Sequence, residues 1–246
     1  MHWHDPTCPR LDGVCANNLI SCIRCGSSKL LVSEDSKSLP GVLGPGSIYS
    51  PISQHTEIRL LVVHPGEFPE PVRCDMVTRA VGKAMYDYEA ISYTWADETG
   101  DKTQSGLIFV NSTPIPVTRN CEMALRRVRW RSYERRIWID AVCIDQTNID
   151  ERGHQVRLVP EIYARAKRVL IYIGEAADQS SSALQFIANG GFGNTPTQAD
   201  LEVAKKALDR LLSRRYFSRI WVLQEIALAR ESKLICGDTT ITWQLL

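Results

Sequence analysis

Apolar positions along this chain follow two rhythms. Strand-length segments recur at Ile58–Val63 and Glu89–Tyr93, and apolar runs rich in β-branched residues at Ile137–Ile144 and Val169–Ile173. Strands buried on both faces read this way. Val72–Thr78 predicts a neighbour for the first run, and Leu107–Val110 with Ile115–Val117 predicts a hairpin about Asn111-Ser112-Thr113. A second hairpin is predicted from Lys233–Cys236 and Thr240–Trp243 about Gly237-Asp238. Elsewhere the spacing turns helical. Cys121, Ala124, Leu125 and Val128 share one face, as do Leu201, Ala204, Leu208 and Leu211. A last helix is expected over Ser218–Ala229, with Ile220, Leu223 and Ala227 inward and Gln224 and Glu225 among them.

The stretch from Arg135 to Gly174 organises the rest. Its two apolar runs bracket a polar turn and a helical segment with Val156, Val159, Tyr163 and Ala166 on one face. That is the pattern of a β-α-β crossover, which joins parallel strands. The fold class expected is therefore α/β: a mostly parallel sheet of about five strands flanked by helices, with an extra hairpin and an N-terminal arm. Ligands of such sheets bind beyond the carboxyl ends of the strands, which directs attention to Asp140, Asp145 and the Gln146–Gln155 loop. Pro160 falls inside the helical pattern, so that helix either kinks there or begins there.

Composition narrows the class. The 246 residues are 44% hydrophobic and 23% charged, with a formal net charge of +1, an ordinary globular balance with no bulk case for nucleic acid. The run Arg126, Arg127, Arg129, Arg131, Arg135 and Arg136 reads first as a solvated helix end. No apolar run approaches the ~20 residues needed to span a bilayer, and the amino terminus lacks a signal-peptide pattern. Eight cysteines at this length suggest a reducing, cytoplasmic setting rather than a disulfide scaffold. Four of them, Cys8, Cys15, Cys22 and Cys25, crowd the first residues. The Cys22–Cys25 spacing suits one tetrahedral metal, so these four are candidate ligands of a structural zinc, against free thiols in a mobile arm. Residues 33–56 are rich in Ser, Pro and Gly and read as a linker. Asn189–Asn194 reads as a flexible glycine loop without the lysine of a phosphate cradle. Two regions result: an N-terminal arm and linker over 1–56 and an α/β domain over 57–246.

Three blocks carry a family resemblance: Tyr88-Glu-Ala-Ile-Ser-Tyr-Thr-Trp95, the Ile137–Gly174 segment, and Phe217-Ser-Arg-Ile-Trp-Val-Leu-Gln-Glu225. Together and in this order they resemble the heterokaryon-incompatibility (HET) domain of filamentous fungi, over about residues 57–246. Ala96 departs from the glycine usual after the tryptophan, and Pro160 replaces a helix former. A more distant resemblance links Tyr88–Tyr93, the loop with Gly153, and Trp221–Glu225 to Toll/interleukin-receptor (TIR) domains, which have a flavodoxin-like fold.

These resemblances imply a fungal non-self-recognition effector that triggers cell death. The TIR likeness implies hydrolysis of NAD or a related nucleotide, with Glu225 as the catalytic carboxylate. A carboxylate there would stabilise the oxocarbenium-like centre formed when the nicotinamide–ribose bond breaks. Tyr93, Trp95, Asp97 and Asp140 are the candidate ligand-binding residues around it. No cofactor is expected for the main domain, and NAD enters as substrate. Self-association and an incompatibility partner protein are expected, without membrane or nucleic acid. Against catalysis stands a signalling module that works by self-association or recruitment, with Glu225 as a helix residue paired to Arg219.

Overall fold

Each predicted apolar run from Ile58 onward becomes a strand. The computed structural model describes residues 13–16, 19–22, 28–30, 48–52, 56–83, 86–188, 197–219 and 221–245, in two units spanning Met1–Val42 and Leu43–Leu246. In the first unit, strands β1 (Gly13–Ala16), β2 (Leu19–Cys22) and β3 (Ser28–Leu30) form an antiparallel sheet that the residue pattern had not suggested. Cys15 lies in β1 and Cys22 in β2; Cys8 and Cys25 lie outside the described residues, as does the Asn189–Asn194 loop.

The second unit holds a nine-stranded sheet. Its strands in chain order are β4 (Glu57–Val63), β5 (Val72–Ala80), β6 (Glu89–Tyr93), β7 (Gly106–Val110), β8 (Thr113–Val117), β9 (Arg135–Trp138), β10 (Val169–Tyr172), β11 (Ser232–Cys236) and β12 (Thr239–Thr242). Across the sheet they stand β12-β11-β10-β6-β9-β4-β5-β7-β8. Four neighbouring pairs are parallel, β11–β10, β10–β6, β6–β9 and β5–β7, and four are antiparallel. The fold is α/β as expected, but the sheet is wider than five strands and only its centre is consistently parallel. Hairpins joined by short turns add antiparallel strands at both sides. In the Asn111-Ser112 turn both residues have positive φ, 49° and 66°, the geometry a two-residue hairpin requires.

Helix α1 (Arg119–Val128) buries Cys121, Ala124, Leu125 and Val128, as their spacing predicted. Its Thr118 side chain caps the start by accepting from the Cys121 amide at 3.2 Å. The arginines at its end are not a solvated cluster. Arg126 and Arg129 hold the carbonyls of the 67–71 loop, Arg127 pairs with Glu175, Arg135 with Glu89, and Arg136 with Asp87.

The central crossover differs from its predicted form in two places. The strand stops at Trp138, and residues Asp140–Cys143 make a single helical turn, α2. Asp140 opens that turn with its Oδ1 accepting the Ala141 amide at 2.7 Å. Helix α3 (Ile149–Arg165) then starts at the Asn148 cap, so residues 149–155 are helix and not loop. Pro160 lies in the interior of α3 with its ring exposed. The buried face of α3 is Glu151, Gln155, Ile162 and Tyr163, while Val156 is exposed. Polar residues displace the expected apolar face because Glu151 meets the buried Arg59 of β4.

Helices α4 (Ser180–Ala188), α5 (Gln198–Leu212) and α6 (Trp221–Ala227) complete the unit. In α5 the buried residues are Ala207 and Leu211; Leu201 is exposed. Residues ahead of Glu57 join this core too. Ile48 is buried in it, and the Tyr49 hydroxyl donates to the Val142 carbonyl at 3.1 Å. Among the described residues no helix is long and apolar enough to cross a membrane.

Candidate active site

The four consecutive parallel strands set the location. In chain order they are β6, β9, β10 and β11, and across the sheet they stand β9-β6-β10-β11. This 2-1-3-4 order is that of a flavodoxin-like sheet, whose crevice opens beyond the carboxyl ends where the order reverses, here between β6 and β10.

All five residues of β6 are buried, including Ser92 at its carboxyl end. The Ser92 hydroxyl donates to Oε2 of Glu225, and the Tyr216 hydroxyl stands 2.7 Å from the same Ser92 oxygen. One hydroxyl has one proton, so Tyr216 is the donor to Ser92 and the chain runs Tyr216, Ser92, Glu225. Arg219 closes the other side. Its Nη1 donates to the Tyr93 carbonyl at 2.6 Å, and its Nη2 stands 3.5 Å from Glu225 Oε1. Glu225 itself is 6% exposed. Burial pushes its carboxyl above the ordinary range; Arg219 and the Ser92 hydrogen bond oppose that rise without cancelling it.

The local sequence explains the geometry. A 3-10 turn over Arg215–Ser218 buries Tyr216, and α6 follows with Val222 and Glu225 on its buried side. Ala227, expected inward, is exposed, and Ile220 and the side chain of Leu223 lie outside what is described. Glu225 is thus not a charge beside an apolar face; it belongs to the buried face.

Of the other candidate residues, three converge here. Tyr93 is buried with its hydroxyl beside the Cys121 thiol and within electrostatic reach of Asp140 and Arg219. Trp95 is half-buried and donates Nε1–H to Asp140 Oδ2 at 3.0 Å. Asp140, where β9 gives way to α2, lies within electrostatic reach of both Arg219 and Glu225. Burial raises its carboxyl as well, opposed first by the Trp95 bond and then by Arg219. Asp97 does not join them. Its Oδ1 accepts from the Thr99 amide, the Thr99 hydroxyl and the Asp101 amide, which fixes its own loop; the hydroxyl bond is the main reason its carboxyl is held low. Ala96, the departure from glycine, is buried with a negative φ, so its methyl group costs the loop nothing. Glycine is required instead at Gly174 after β10, where φ is +102°.

Ser92 and Tyr216 are the participants that sequence reasoning missed. A polar residue inside a fully buried strand is the signal that would have marked Ser92. Cavities of about 340 and 390 Å³ lie at the opposite, amino ends of the parallel strands, lined among others by Glu89, Arg135, Arg136 and Lys167. The Arg135–Glu89 and Arg136–Asp87 pairs satisfy most of their charge internally. The carboxyl end, with two acids held high by burial, is the better candidate for chemistry.

The profile of the family described as Heterokaryon incompatibility protein (HET) matches residues 88–225, from Tyr88 at the head of β6 to Glu225 itself. The chain is 25% identical to Heterokaryon incompatibility protein 6, OR allele, of Neurospora crassa, across 77% of this chain and 34% of that protein. It therefore spans about a third of the length of the curated relative it matches. No solved structure matches.

Proposed function

The chain belongs to the heterokaryon incompatibility (HET) family, and from that premise we propose that it is a cytoplasmic effector of fungal non-self recognition that triggers cell death by hydrolysing NAD or a related nucleotide. The observation that carries this reading is Glu225. Its carboxylate is buried at the switch point of the parallel strands, oriented by Ser92 and Tyr216, and only loosely held by Arg219. Arg219 makes one contact with it, where Arg59 makes two with Glu151.

In the proposed reaction the bond between C1′ of the ribose and the pyridinium nitrogen breaks. The electron pair leaves with the nitrogen, releasing neutral nicotinamide and leaving an oxocarbenium-like centre at C1′. Glu225 stabilises that positive charge, and water adds to C1′ with loss of a proton. Tyr93, Trp95 and Asp140 line the ligand's approach, and no cofactor is required. Asp97 has a supporting role only, since its oxygens stabilise the loop after Trp95.

The test is nicotinamide release by the purified chain at high protein concentration and saturating NAD, with toxicity on overexpression as the cellular readout. Release that vanishes in Glu225→Gln supports the enzyme; toxicity that persists in a folded Glu225→Gln protein would instead favour a signalling module acting by self-association or partner recruitment. In the arm, we hold Cys8, Cys15, Cys22 and Cys25 as ligands of one structural zinc. About one zinc per reduced chain, lost in Cys22→Ser with Cys25→Ser, is the expected result, and metal-free fresh protein would end that idea.

A further inference from the structure

The charges of the site do not balance. The charged groups that meet there are the carboxylates of Glu225 from α6 and Asp140 from the start of α2, and the guanidinium of Arg219 from the segment between the 3-10 turn and α6. As neutral hydroxyls, Tyr93 from β6 faces Asp140 and Arg219, Tyr216 faces Glu225 and Arg219, and Tyr163 from α3 faces all three. With both acids ionised, one positive charge opposes two negative ones. Burying an excess charge is costly unless something completes it. Trp95 already fixes the orientation of Asp140 with its indole N–H, so this carboxylate is held in place and is not a mobile surface acid. The Tyr93 hydroxyl, in a residue only 2% exposed, lies beside the Cys121 thiol and within electrostatic reach of Asp140, and brings no charge to offset that carboxylate.

Resting on the glycohydrolase reading, we propose that Asp140 is the specificity-determining residue of the site: together with Glu225 it selects a ligand whose buried ring carries a positive charge, an N-substituted pyridinium, over its neutral counterpart. The geometry gives the two carboxylates different tasks. Glu225, aligned by Ser92, serves the centre where charge develops. Asp140, aligned by Trp95, matches the charge already present on the leaving ring before the bond breaks. A reduced, uncharged dihydropyridine ring would leave Asp140 uncompensated and would be disfavoured.

The test measures binding, not turnover. The 1-methylnicotinamide cation and neutral nicotinamide are titrated into the intact chain while the Trp95 indole N–H resonance, assigned by its absence in Trp95→Phe, is followed by NMR. The parent should bind the cation at least roughly tenfold more tightly, and Asp140→Asn should erase most of that preference. Equal affinity for the two probes in the parent, no response to either, or an unchanged preference in a folded Asp140→Asn protein would each overturn the proposal. The parent's own ratio does not depend on the variant folding. Nicotinamide release from NAD, measured on the same preparations, separates the two readings. Cation preference without release leaves Asp140's role standing and removes the hydrolase. Release without cation preference does the reverse.

Discussion

Of the arginine–glutamate pairs in this domain, Arg59–Glu151 and Arg219–Glu225 are built to different ends. Arg59 and Glu151 meet through two parallel contacts, Nη1–Oε1 at 2.5 Å and Nη2–Oε2 at 2.9 Å, with side chains 1% and 6% exposed. The spare donors of Arg59 reach the carbonyls of Ser50 and Cys143, and Glu151 also accepts the Asp145 amide. Every strong group there has a protein partner, apart from the Arg59 Nε–H. Arg219 and Glu225 share a single contact of 3.5 Å, and Arg219 is 26% exposed. The first pair is a strut tying β4, α2 and α3 to the residues before β4. The second is one longer contact on a carboxylate that burial raises above its ordinary range, and is the less completed of the two.

The strut should be the more costly to break. Glu151→Gln leaves Arg59 buried without its counter-charge, and the expected loss is about 3–5 kcal/mol. Urea unfolding reads it directly. A midpoint shift worth less than about 1 kcal/mol would mean that the pair is dispensable and the contrast with Glu225 is wrong.

Next in size comes the helix that carries Glu151. Pro160 removes one backbone donor from the interior of α3 and crowds the preceding turn. Pro160→Ala should therefore stabilise the domain, by up to about 3 kcal/mol. A neutral or destabilising result would show that the tertiary contacts of α3 have adapted to the proline, so that the strut and not the helix sets local stability.

These two positions also show how far residues alone could be read. Strand positions were legible wherever apolar character was continuous, as at Val169–Ile173, and so were helices such as α1, whose apolar stripe is complete. Periodicity failed where polar residues are inside. In α3 it assigned Val156 to the core and overlooked Glu151 and Gln155, because an ion pair between elements distant in sequence leaves no local signal. The strand through Asp140 was drawn too long for a related reason: one aspartate, bonding its neighbour's amide and Trp95, turned the chain into α2. The width of the sheet was missed although each strand was predicted singly, because no local signal says that β4, β5 and the two hairpins join the parallel centre. At the site, Glu225 was named from family likeness and Asp140 from its place at a strand end; the structure brings them together with Trp95 and Tyr93, whereas Asp97 turns into its own loop. Ser92 and Tyr216 could be found only once β6 and the 3-10 turn were seen side by side.

The smallest effect discriminates most sharply. Burial raises the Glu225 carboxyl above its ordinary value of 4.5, so the folded protein binds that proton more tightly than the unfolded chain does. The cost of ionising it is therefore absent at acid pH, below the ordinary range, and grows as pH climbs through the folded-state value. Glu225→Gln keeps the shape and an acceptor for Ser92 but removes the charge. It should leave stability nearly unchanged near pH 4 and raise it at pH 7.5 by on the order of 1 kcal/mol, or about 2–4 °C in melting temperature. Asp140, raised in the same direction by its own burial, is present in both proteins and does not alter the sign of the difference. The same substitution in the strut, at Glu151, should destabilise at both pH values. If Glu225→Gln instead loses stability at pH 7.5, Arg219 is a true structural partner and Glu225 belongs with Glu151. A protein that melts higher at neutral pH while losing nicotinamide release and toxicity together is the outcome expected of a carboxylate retained for chemistry at the expense of the fold.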